Sequence, residues 1–432
     1  MKKTYSILQS GEPWVWISAA ALGLTILLLL GFLMLIIVRG LAAFWVSDVA
    51  LIKQKSTAVF GEIVAREDRP HSADGPYRIE IKRGNRDLYG SDFIWINSDQ
   101  IESITYPQDV YVLERLEWGN FYGRLIKLVI DGADFTDSRR FNQLLSRELR
   151  RIKDLRARVY QIEKKEIGKN SYQQEQIRLK LKRLARAGIG SGPEVNALKE
   201  KQSKLTAEFN QLMTNLDNLR ARMNGKAIFR DAAGTEKEIA LSQIVRFYQP
   251  NKLGIAGKLG LYCSKVYEFI TENPRESNTE GGVFPAIFGT VMMVFIMAIV
   301  VTPFGVLAAI YLHEYAKPGF AVSSIRIAVN NLAGVPSIVF GVFGVGFFIY
   351  FIGSSIDEFF FSDRLPDPTF GTGGILWASL TLALLTVPTV IVATEEGLSA
   401  IPKNWREAAY ALGCTKFEVL YRVVLPALVP AL

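Results

Sequence analysis

Four apolar runs, at 14–38, 284–312, 327–352 and 374–393, constrain this chain more than anything else in it. Each offers roughly 20 residues or more, enough to cross a hydrocarbon core of about 30 Å as a helix whose backbone bonds itself. Because 49% of the 432 residues are hydrophobic while 21% are charged, the two kinds must be segregated along the chain. The charged residues crowd into the interval between the first run and the second. A mainly α, polytopic membrane protein carrying a large polar insertion is the architecture this pattern allows.

The first run follows Lys2 and Lys3, as a secretory signal would, but it is too long for a signal core and has no small-x-small cleavage site before Arg39. It is expected to remain as a membrane helix, with Trp14, Trp16 and Trp45 near its interfaces. The two lysines put residue 1 in the cytoplasm. Counting onward, the loops with Lys317 and Arg326 and with Lys403 and Arg406 fall on the cytoplasmic side, while the acidic stretch 357–367 faces out, in accord with the positive-inside rule. Residues 47–280 are then extracytoplasmic despite their many lysines and arginines, since long domains translocate largely regardless of charge.

Within 47–250, runs such as YRIEI (77–81), DFIWI (92–96) and DVYVL (109–113) alternate like strands, giving a β segment over 59–129 and a second over 227–248. The stretches IEIKRGNRDLYG…SDQIESITYP and AIFRDAAGTEKEIALSQIVRFYQP are weakly alike, and the two segments are expected to pair in one small sheet or barrel. Between them, over 139–223, Leu145, Leu149, Ile152, Leu155, Val159 and Ile162 recur at three and four, as do Leu198, Leu205, Phe209, Leu212, Leu216 and Leu219. With AGIGSGP (187–193) as the bend, this reads as an antiparallel coiled-coil hairpin. Its basic residues read as a solvated face, and nucleic acid is disfavoured by the interleaved glutamates. Residues 251–283 read as a linker.

After the fourth run comes a polar segment, NWREAAYALGCTKFEVLYRVVLP (404–426). Glu407, Ala408 and Ala409, then Gly413, then Leu425 and Pro426 describe two short helices joined by a tight turn. Asn404 and Glu407 also have the spacing of an N-cap and its N3 partner. The segment resembles the EAA coupling loop of ABC importer permeases, here 395–426. TEGGVFPAIFGTV (279–291), TPFGVLAAIYLHEYAK (302–317), RIAVNNLAGVPSIVFGVFG (326–344) and LTVPTVIVATEEGLSAIP (385–402) resemble the matching segments of the PstA-type permeases of phosphate ABC importers, closely over 270–432 and loosely over 14–39.

That resemblance implies a type I ABC importer permease (MetI-like) fold with the β and coiled-coil region inserted. It implies phosphate import beside a PstC-type permease partner, above two copies of a PstB-type ATPase and below a periplasmic phosphate-binding protein, in the lipid of the inner membrane. Glu407, Ala408, Ala409, Gly413, Leu425 and Pro426 would form the ATPase-coupling surface. No phosphate-cradling glycine loop followed by Lys-Ser/Thr occurs, so no cofactor is expected on this chain, and ATP and Mg belong to the partner. His71 and His313 are the only histidines, without a metal or nucleophile constellation around them, and no enzyme is expected. Polar groups near spans nominate Arg326, Asn330, Asn331, Ser337, Glu395 and Glu396 as the substrate pathway. Where many relatives carry Arg before the Thr-Glu of the fourth span, this chain has Val392 and Ala393. Pro336, after Gly334 and Val335, is nominated as a hinge or a pore-lining break. Against family members the chain is expected to stop at the start of a fifth span. The alternatives are another oxyanion as cargo, sulfate or molybdate, and a membrane-anchored phosphate-sensing scaffold.

Overall fold

The computed structural model describes residues 12–55, 57–69 and 75–431. Lys2, Lys3 and His71, used above, lie outside them. The chain divides into two compact units, one of Met1–Ser171 with Thr206–Phe284 and one of Tyr172–Leu205 with Pro285–Leu432.

The first unit opens with helix α1 (Glu12–Ala42), apolar on every side. Then come β1 (Val49–Gln54), β2 (Ala58–Asp68), β3 (Tyr77–Lys82), the single-turn α2 (Arg86–Tyr89), β4 (Phe93–Asn97) and β5 (Ile101–Thr105). They form an antiparallel sheet in the order β4-β3-β2-β1-β5. The next strands are β6 (Tyr111–Arg115), β7 (Phe121–Ile130) and the short β8 (Ala133–Phe135). Helix α3 (Phe141–Gln161) follows, and a π-helical turn at Ile162–Ile167 leads into α4 (Gly168–Arg186), which from Tyr172 on, together with the first part of the next helix as far as Leu205, belongs to the second unit. After a bend, α5 (Pro193–Ala221) returns to β9 (Lys226–Arg230), β10 (Glu236–Ala240) and β11 (Ile244–Tyr248). The second sheet has the order β10-β9-β7-β6-β11, with β8 on β7.

These two sheets are the same design twice. In each, a long second strand sits mid-sheet, a 3₁₀ turn of three residues (Ser98–Gln100, Leu241–Gln243) joins the fourth strand to the fifth, and the fifth returns to pair with the first. Even the register slip between second and third strands recurs, at Ile63/Ala65 and at Leu125/Lys127. The weak likeness of 79–107 and 227–250 thus marks equivalent parts of two sheets. The two β segments do pair, as expected from sequence, but only through the end of the first: 226–248 completes a sheet with 111–130, while 58–105 belongs to the other sheet. The helical hairpin is inserted in the second copy between its second and third sheet strands, where the first copy has eight residues between Asp68 and Tyr77.

The coiled-coil reading of the first arm needs correction. Leu145 and Ile152 are fully buried against Tyr111, Phe121, Leu128, Phe229 and Ile244 of the second sheet, with Leu149 packed beside them. Spacing at three and four specifies an apolar stripe, not what covers it, and here the sheet does. The expected linker is also structured: α6 (Ile255–Thr271) fills much of it, and Pro274–Arg275 pairs with Glu280–Gly281.

In the second unit, α7 (Phe284–Ile310) runs into a π-helical turn at Tyr311–Tyr315. Next comes α8 (Phe320–Leu332). The expected span 327–352 is displaced: the helix breaks before Pro336, and the apolar helix runs from Ser337 to Phe360 as α9 (Ser337–Phe343), a π-helical stretch and α10 (Ser354–Phe360). Proline has no N–H and disfavours helical geometry at the residue before it, so the break falls where Pro336 was nominated. Asp357 and Glu358 accordingly belong to α10 and not to a loop. Helix α11 (Ile375–Ala400) is longer than the expected 374–393 and takes Glu395 and Glu396 out of the coupling loop. The chain ends with α12 (Lys403–Ala411), α13 (Lys416–Val419), a π-helical turn and α14 (Leu425–Leu428). Among the described residues four helices, Trp14–Ala42, Phe284–Tyr315, Ser337–Phe360 and Ile375–Ala400, are long and apolar enough to cross a membrane.

Candidate functional site

The 401–428 segment is built from local rules that can be checked bond by bond. Pro402 precedes α12 and no side chain caps it, so the Asn404 and Glu407 capping arrangement is absent. At the other end, the Cys414 N–H donates to the Ala409 carbonyl (3.2 Å) and the Gly413 N–H to that of Tyr410 (2.9 Å). This is a Schellman closure with the glycine at φ +83°, a conformation in which a Cβ is strained. The capping box lies one helix later: Thr415 Oγ1 accepts from the Glu418 N–H (3.3 Å) while Glu418 Oε2 accepts from the Thr415 N–H (2.8 Å). The Thr415 N–H and hydroxyl hold the Glu418 carboxyl below its usual range.

Ala408 and Ala409 have different fates. Ala409 is buried with Val306, Ile310, Leu398, Ile401, Val419 and Leu428, so it serves the protein's own core. Glu407, Ala408, Gly413 and Pro426 are exposed, and Leu425 is half-buried. Around them stand large apolar side chains with nothing over them: Leu412 is 86% exposed, and Phe417 stacks on Tyr421 with ring centroids 6.4 Å apart. Aromatic and aliphatic groups left open on a polar hairpin are what a partner's cleft would cover.

Charges fix this hairpin to the end of α7. Arg406 Nη1 lies 2.8 Å from Glu314 Oε1, and its Nη2 donates to the Leu398 carbonyl at 2.8 Å. The Lys416 ammonium donates to the Glu314 carbonyl and sits 4.3 Å from the centre of the Tyr315 ring. Sequence reasoning used Arg406 only for topology and gave Glu314 no functional role. The available signal was chemical: a carboxylate at the end of an apolar run needs a cation.

Of the nominated pathway residues, the structure brings two together. Arg326 Nη2 is 3.2 Å from Glu395 Oε1 and 3.3 Å from the Leu312 carbonyl that accepts from it. The Glu395 atom is buried without an aligned hydrogen bond, so the contact is an ion pair. Asn330 and Asn331 end α8 and Ser337 begins α9; these three and Glu396 are exposed. Close helix approach occurs at Gly305, where a Cβ would come 2.6 Å from Val390, and at Gly344, where it would come 2.2 Å from Thr381. Gly341 and Gly346 have nothing near them.

At the opposite end of these spans, the 361–374 turn is tied down twice. Asp357, 1% exposed, accepts from the N–H groups of Phe370 (2.8 Å) and Gly371 (2.7 Å). Three cations of α4 grip the same turn: Lys182 donates to the carbonyls of Asp363 (2.7 Å) and Leu365 (2.9 Å), and Arg183 and Arg186 pair with the Asp363 carboxylate. The Arg183 guanidinium, bonded to Asp363, holds that carboxyl below the usual range. The basic face of the hairpin is therefore, at these three residues, a contact and not merely solvated.

Residues 301–432 match the family described as binding-protein-dependent transport system inner membrane component. A probable ABC transporter permease of Bacillus subtilis is 30% identical over 42% of this chain and 56% of its own length. The phosphate transport system permease protein PstA of Mycobacterium leprae is 32% identical over 42% of this chain and 54% of its own. The phosphate transport system permease protein PstC of Mesorhizobium japonicum is 30% identical over 37% and 51%. The chain spans about half the length of the curated relatives it matches.

Proposed function

We propose, from a chain whose residues 301–432 carry the inner-membrane component domain of binding-protein-dependent transport systems, that this protein is a permease subunit of an ATP-driven phosphate importer. The names of the PstA relatives carry the choice of cargo. A PstC-type subunit would complete the pore, two PstB-type ATPases would bind below it with their ATP and Mg, and an external phosphate-binding protein would deliver the ion.

Coupling is assigned to the open face of α12 and the turn after it. Glu407 and Ala408 would meet the ATPase, Leu412, Phe417 and Tyr421 would fill its cleft, and Gly413 would set the angle between the two arms. Ala409 supports the face from behind. Arg406 and Lys416, anchored on Glu314 and its carbonyl, would pass a pull on this hairpin to α7 as a rigid displacement. Since the spans 284–315, 337–360 and 375–400 alternate in direction, the α4 clasp on Asp363 lies at the end away from the hairpin. That supports placing α4 on the extracytoplasmic side and α12 on the cytoplasmic side.

Phosphate uptake in cells lacking their own permease, with this chain and its partner subunits supplied, tests the reading. Uptake should appear, should be competed by arsenate more than by sulfate or molybdate, and should fall about tenfold in Glu407→Ala, roughly 1.4 kcal/mol of coupling. Uptake that sulfate or molybdate competes equally overturns the cargo, and full uptake in Glu407→Ala overturns the coupling role.

A further inference from the structure

The first unit contains a cavity of about 470 Å³ with an imbalance of charge. It is lined by Arg150, Lys153 and Arg156 on one face of α3, by Arg246 from β11, and by Glu268, Glu272 and Arg275 around the end of α6, so five cations face two carboxylates. One of those carboxylates is already used. Glu268, 8% exposed, holds Arg246 through one oxygen and Arg275 through the other (3.0 Å). The Arg275 Nε is buried and has no hydrogen-bond partner among the described residues. Among the described residues Arg150, Lys153 and Arg156 make no ion pair. Arg156 spends one nitrogen on the carbonyls of Ser242 and Ile244, which positions its guanidinium without neutralising it. Burial, and then the charge of Arg275, hold Arg156 below its usual range, as expected where cations gather without an anion.

Like charges gathered around one cavity repel, two of them from its exposed rim (Arg150, Lys153) and two from its half-buried wall (Arg156, Arg275), and an anion entering it relieves that repulsion. We propose that this cavity is an anion site for a phosphate oxyanion, distinct from any transport pathway, with Arg150, Lys153, Arg156 and the free edge of Arg275 as its donors and Ser146 at its rim. Guanidinium groups offer the paired N–H donors that match two oxygens of a tetrahedral anion. The volume admits inorganic phosphate with its water, or the phosphate of a lipid headgroup. Arg275 precedes Phe284, the first residue of an apolar span, by nine residues, a chain reach of about 30 Å, so both sources are accessible.

The experiment uses the full chain and the pair of rim residues without partners. Purified in phospholipid-free detergent, the wild-type chain and R150A/K153A are titrated with radiolabelled inorganic phosphate by equilibrium dialysis. In a second arm both are reconstituted in nanodiscs of phosphatidylcholine with or without phosphatidylglycerol, and retained anionic lipid is counted by mass spectrometry after extraction. A class of phosphate sites weakened about tenfold or more in R150A/K153A and restored in R150K/K153R identifies free phosphate. Loss of retained phosphatidylglycerol alone identifies the headgroup. Equal behaviour of the two chains in both arms overturns the site. Because only the difference between chains is read, binding along a transport pathway, present in both, leaves the outcome unaffected.

Discussion

Gly413 shows how much a single backbone angle decides. At φ +83° it closes α12 with two bonds that alanine could keep only by entering the left-handed region, at roughly 1–2 kcal/mol. Gly413→Ala should lower the thermal midpoint of the purified chain, and Gly413→Asn should lower it less, because asparagine tolerates that region; equal loss in both would locate the effect elsewhere. Glu418 adds a pH dependence. Its carboxyl is lowered in the folded chain by the Thr415 N–H and hydroxyl, so the cap is fully present above the unfolded value, near 4.3, and is lost as pH falls through the lowered one. Between pH 7 and pH 3 the advantage of wild type over Glu418→Gln in thermal midpoint should shrink towards zero. A constant difference across that range would rule the cap out as its source. At this scale the sequence was partly legible. The turn at Gly413 was readable from the sequence, whereas the capping spacing was read at Asn404 and Glu407 and the bonds form at Thr415 and Glu418 instead, because Pro402 starts α12 ahead of Asn404.

At the scale of elements, the apolar runs declared the membrane helices and misplaced some of their ends. Hydropathy measures length of greasy chain, not where a helix breaks, so 327–352 included the last turn of α8 and omitted α10 beyond Gly353. The stripe on α3 was visible, yet its partner was the second sheet, since Leu145 and Ile152 fit against Phe121 and Phe229 there. The repeat of the two sheets was faintly written as 79–107 against 227–250, and strand pairing made it plain. Close contacts between helices were less legible still. Gly305 and Gly344 touch α11 while Gly341 and Gly346 touch nothing, a distinction no composition carries. Gly344→Val would force a side chain into Thr381 and should cost about 1–3 kcal/mol, seen as a lower midpoint in detergent. Gly346→Val should be near neutral. Equal effects would mean that the helices approach elsewhere.

For the whole molecule, the informative contact is the grip of Lys182, Arg183 and Arg186 on the 362–365 turn. It joins residues some 180 positions apart through charges that sequence reasoning gave to solvent. The Asp363 carboxyl is lowered by the Arg183 hydrogen bond, so the grip is complete above the unfolded value, near 3.9, and fails as pH falls through the lowered one. Asp363→Asn should speed hydrogen exchange over 175–186 at neutral pH, and added salt should do the same in wild type. Unchanged exchange in both would show that the helix is held by other means.

By itself the sequence determined four apolar runs long enough to cross a membrane, a β and helical insertion, and a conspicuous polar hairpin after the fourth run, because these follow from hydropathy and short-range turn chemistry. The tertiary structure alone decided that Ala409 faces inward while Ala408 faces out, that Arg326 meets Glu395, that α3 serves a sheet, and that α4 clasps a distant turn. Those outcomes depend on which surfaces meet, and a linear pattern fixes the character of a surface long before it fixes its partner.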